Sequence, residues 1–99
     1  MKLDVETILI GLDGKELKDG TTLCTFKTVA LNALLASFPD EQNLSGEDKF
    51  KRYQLAMKIN ANSEVELSVE EAALIKQLVG KGFAPLVVGR MFEMIERTP

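Results

Sequence analysis

Between Phe26 and Phe38 the chain is apolar on almost every side, and this run limits the fold more than any other feature. Phe26, Val29, Ala30, Ala33 and Leu34 share one helical face. Leu31, Leu35 and Phe38 extend the apolar surface round the cylinder, and only Lys27, Thr28, Asn32 and Ser37 interrupt it. Such a helix has little polar surface to turn to water, so it belongs at the centre of its domain with other segments covering it. Pro39 stops it, because the residue before a proline is pushed out of the helical region. Residues 39–44 then read as a polar loop.

The flanking segments supply the cover. Residues 3–12 read as a strand carrying Val5, Thr7, Ile8, Leu9 and Ile10, ending at the hairpin signal Gly11-Leu12-Asp13-Gly14. Glu16 and Leu17 can begin a return strand, Lys18-Asp19-Gly20 is a second turn, and Thr21 to Thr25 makes a further short strand. Ser45-Gly46-Glu47-Asp48 opens a second helix, with serine to cap the first-turn amides and two acids at the positive helix end. On it Phe50, Tyr53, Ala56 and Met57 form one stripe. Glu64 to Leu67 reads as a short extended piece, and Ser68-Val69-Glu70-Glu71 matches a capping box. The third helix then buries Leu74, Ile75, Leu78 and Val79 and ends at Gly80-Lys81-Gly82, where glycine can take the left-handed C-cap conformation. Pro85 suits the first turn of a fourth helix.

These signals give an α+β chain, mainly α. An N-terminal β-hairpin or small antiparallel sheet lies within 3–25, followed by about four short helices near 26–38, 46–59, 69–79 and 85–97. At 99 residues the chain is expected to form a single domain over 1–99.

What the chain lacks bounds its chemistry. It has no histidine, which removes the commonest general base, the commonest metal ligand and every Ser-His or Cys-His nucleophile pair. With Cys24 as the single cysteine, a zinc site of ordinary type is excluded, as is an intramolecular disulfide. One cysteine and no signal-peptide pattern lead us to expect a reducing cytoplasm. The apolar runs are far shorter than the ~20 residues of a membrane span, so no membrane contact is expected. Fifteen acidic and 12 basic side chains leave a net charge of −3, the wrong sign for a chain that must neutralise several phosphates.

The remaining clusters have plain structural uses. The acidic pairs Glu47/Asp48 and Glu70/Glu71 sit at helix starts, while Asp4/Glu6 and Glu64/Glu66 alternate on extended segments where solvent-facing acid is expected. The acidic loop 13–19 lacks the ligand spacing of an EF-hand. Gly80-Lys81-Gly82 follows a helix and precedes Phe83, unlike a phosphate loop. Cys24 reads as a small buried residue. No catalytic, cofactor-binding or metal-binding residue is assigned, no cofactor is expected, and we expect no enzyme.

Two kinds of surface are left as candidate contact sites. Leu55 and Ile59 lie on a second apolar face of the second helix, which implies that both faces are covered, by the domain or by another chain. The fourth helix carries a broad apolar arc of Val87, Val88, Met91, Phe92, Met94 and Ile95. Leu55, Ile59, Val87, Met91, Phe92, Met94 and Ile95 are therefore the candidate protein interface. Lys49, Lys51, Arg52 and Lys58 form the candidate basic contact face, a poor one for nucleic acid with Glu47 and Asp48 beside it.

The segments Phe26 to Leu35, Lys51 to Ile59 and Leu67 to Arg90 resemble small uncharacterised proteins of tailed bacteriophages and prophages. That resemblance implies a phage or prophage product made in a bacterial cytoplasm, and it carries over no activity or site residue. The expectation is a non-enzymatic protein that self-associates or binds another protein. The alternatives are a tail-assembly chaperone or morphogenesis factor, and a regulator of a host nucleic-acid enzyme touching nucleic acid through the basic face.

Overall fold

The first helix, α1, spans Phe26–Leu35 and is enclosed as its composition requires. Phe26, Val29, Ala30, Ala33 and Leu34 are all buried, and α1 packs against both α2 (Gly46–Ala61) and α3 (Val69–Gly82). Its first-turn amides would be orphaned in such a position. The N-terminal segment supplies partners: Phe26 N–H donates to the Thr7 carbonyl at 3.0 Å and Lys27 N–H to the Val5 carbonyl at 2.8 Å. Thr25 completes the set as N-cap, its Oγ1 accepting from Thr28 N–H at 3.2 Å while Thr28 Oγ1 accepts from Thr25 N–H at 3.0 Å.

The computed structural model describes residues 2–97. Met1, Thr98 and Pro99, which the single-domain expectation for 1–99 includes, lie outside the described residues. The architecture is α+β and mainly α, with short strands toward the N-terminus and helices α1, α2, α3 and α4 (Pro85–Arg97). One buried cluster runs from Leu3, Val5 and Leu9 through all four helices to Met91 and Ile95.

The strand expected over 3–12 is divided. β1 (Lys2–Asp4) leaves the N-terminal region to pair antiparallel with β4 (Glu64–Glu66), Leu3 opposite Val65. The Asp4 side chain then captures Glu6 N–H at 3.0 Å and turns the chain, a use of aspartate that competes with strand pairing. Beyond the turn only isolated bridges form, Ile8 with Thr25 and Ile10 with Glu16. The hairpin proper is the two-residue pair β2 (Lys18–Asp19) and β3 (Thr22–Leu23). Its turn places Gly20 at φ 66°, and Gly14 in the preceding turn at φ 81°, a region that side chains disfavour.

Helix starts follow their caps. Ser45 Oγ accepts from Asp48 N–H at 3.1 Å. The Ser68 box is complete, with Glu71 N–H on Ser68 Oγ at 3.1 Å and Ser68 N–H on Glu71 Oε1 at 2.8 Å. Helix ends differ from expectation in two places. α1 stops at Leu35, with Ala36 already extended, which frees Phe38 to fold back against the core instead of ending the helix. Gly80-Lys81-Gly82 lies inside α3; Phe83 is the C-cap and is extended, and the positive-φ residues described are Gly14 and Gly20 alone. The glycine at 82 admits an aromatic ring instead. A Cβ on Gly82 would lie 3.3 Å from Phe38 Cε1, whereas one on Gly80 would make an ordinary contact at 4.0 Å from Phe92 Cζ.

That difference gives opposite signs for one substitution. A left-handed C-cap glycine loses stability on replacement, whereas one inside a helix with ordinary contact space gains it. Gly80→Ala is expected to raise unfolding stability by about 0.5–1 kcal/mol in urea denaturation. Gly82→Ala gains less or loses, because the Phe38 ring must move.

Candidate functional site

α2 has two apolar faces, and the fold covers only one. At about 100° per residue, Arg52, Leu55, Ala56 and Ile59 fall on one side and Phe50, Tyr53 and Met57 within about 60° on the other. The first group is buried. The second stands in solvent, with Phe50 57%, Tyr53 51% and Met57 51% exposed. The expected assignment of α2 is thereby reversed. Leu55 and Ile59, expected as an interface, are core; of the stripe Phe50, Tyr53, Ala56 and Met57, only Ala56 is inside. Small and aliphatic residues fit the tight crossing onto α1, whereas two aromatic rings there would overfill it.

The fourth-helix candidates are also largely internal. Met91 and Ile95 are buried, and Val87 and Met94 are half-buried against the core. Phe92 is half-buried, with Lys76 Nζ 4.9 Å above its ring. Lys76 is held in turn by Glu96 at 2.8 Å, and Arg90 ties α4 to the N-terminal segment through the Ile10 carbonyl at 2.7 Å. The wide apolar arc is consumed by packing against α3 and the N-terminal segment.

The outward row on α2 is ordered within the fold itself. Phe50 and Tyr53 rings stack at 6.2 Å with an interplanar angle of 17°. Half-exposed, the three side chains present about 300 Å² of largely apolar surface. Next to them a groove of about 440 Å³ runs between the end of α1 and α2, lined by Leu35, Phe38, Leu44, Lys49 and Tyr53 among others. Leu35, 61% exposed, extends the apolar surface across it. Other exposed apolar side chains, Leu12 and Val69, stand apart from this row on the Gly11–Gly14 turn and at the start of α3.

The floor of the groove is ionic. Arg52, 8% exposed, forks onto Glu41 with Nη1 and Nη2 each 2.7 Å from a carboxylate oxygen. Lys81 joins from α3, 2.9 Å from Glu41 and 3.1 Å from Asp40. A planar bidentate fork of this kind is strong and geometrically specific. Its hydrogen bonds from Arg52, then from Lys81, hold the Glu41 carboxyl at about 2 against an ordinary 4.5. Arg52 and Lys81 are raised correspondingly, each chiefly by its hydrogen bond to Glu41. Sequence reading placed Glu41 in a polar loop and missed it. Its local signal was Pro39 followed by two acids, a helix start that becomes a single 3-10 turn, but Arg52 and Lys81 lie 11 and 40 residues away.

The candidate basic face is divided by these pairs. Arg52 is inside on Glu41, and Lys58 donates to Glu71 at 3.2 Å. For Glu71 burial opposes ionisation, but the Ser68 amide and Lys58 outweigh it and leave the carboxyl below its usual range. Lys49 and Lys51 remain exposed. Among the described residues no three His, Cys, Asp or Glu side chains converge as a metal ion would require. Among them also, no helix is long and apolar enough to cross a membrane. No protein-family model matches this chain, and no curated protein or solved structure is significantly similar to it.

The Glu41 cluster sets an acid limit on stability. Its carboxyl titrates lower in the folded chain than in the unfolded one, so its contribution is complete above about pH 4.5 and is lost as pH falls toward about 2. Glu71 acts in the same direction. Urea denaturation across this range is expected to show falling midpoints; Glu41→Gln lowers the midpoint at neutral pH and flattens the acid decline.

Proposed function

We propose that this chain is a non-enzymatic protein-binding module of phage or prophage type, working through the outward face of α2. One observation carries the reading: Phe50, Tyr53 and Met57 form a row of large, half-exposed side chains on a helix whose opposite face is already buried. Single exposed apolar residues are ordinary on protein surfaces, but a contiguous, pre-stacked row beside a groove is the composition of an interface core. Aromatic and Met side chains supply area at low entropic cost and can adapt to a partner. The absence of histidine and of any assigned catalytic constellation argues in the same direction, as does the resemblance of Phe26–Leu35, Lys51–Ile59 and Leu67–Arg90 to small phage proteins.

The nucleic-acid alternative draws less support. With Arg52 and Lys58 occupied by Glu41 and Glu71, the proposed basic face is reduced to Lys49 and Lys51, too few cations to neutralise several phosphates.

A photo-cross-linking phenylalanine analogue at Tyr53 of the full chain, expressed in bacteria, tests the proposal. The expected result is a discrete protein adduct that disappears in the Phe50→Glu/Met57→Glu variant while its circular dichroism is unchanged. Absence of an adduct, or the same adduct from the probe at exposed Gln77 on α3, would defeat it.

A further inference from the structure

We draw no further inference here: the strongest candidate, the outward apolar row of α2 beside the groove at the end of α1, has Lys58 held by Glu71 and Lys49 and Lys51 mixed with Glu47 and Asp48, and nothing in the structure shows what covers it.

Discussion

The enclosure of α1 is the constraint on which the other elements depend. A ten-residue helix with Phe26, Val29, Ala30, Ala33 and Leu34 buried has its first turn and its inner face away from water. Every polar group at its ends therefore needs a partner from the protein. The carbonyls of Val5 and Thr7 and the hydroxyl of Thr25 meet its first amides, which fixes the N-terminal segment across the start of the helix. β1 is pinned by its pairing with β4, across the sequence of two intervening helices. α2 and α3 close the remaining sides.

At the other end of α1 the chain turns sharply at Pro39, and charge holds the turn. Glu41 receives Arg52 from α2 and Lys81 from α3, so one carboxylate ties the turn to both covering helices. An arginine this far from solvent would be costly if left unpaired, and the bidentate geometry answers that cost. The same cluster spends two of the chain's cations inside the fold and, with Phe38 folded beside it, shapes the groove that borders Tyr53.

The outward face of α2 is large apolar surface that the fold does not bury. Each of Phe50, Tyr53 and Met57 leaves about 1 kcal/mol of burial unrealised at half exposure. In a chain whose net stability is only of order 5–15 kcal/mol, that is a noticeable cost for a surface with no structural use. That cost is the physical ground of the contact role proposed for the row.

Much of the local structure was legible in the residues themselves. The serine cap at Ser45, the capping box at Ser68, the start at Pro85 and the core face of α1 follow from short-range chemistry, because the groups that satisfy one another lie within about four residues. The two-faced character of α2 was also visible in the sequence by itself. Which face would be buried was not, since periodicity reports that a face is apolar and says nothing about what is opposite it. That choice came from the space beside α1, which takes Leu55, Ala56 and Ile59 and leaves the aromatic row outside. Gly82 follows the same rule: the residue type signals freedom or small size, and only the neighbouring ring of Phe38 shows that small size is what is used. Glu41 with Arg52 and Lys81, and β1 with β4, were decided by tertiary structure alone, because their partners are distant in sequence and meet only once α1 has been enclosed.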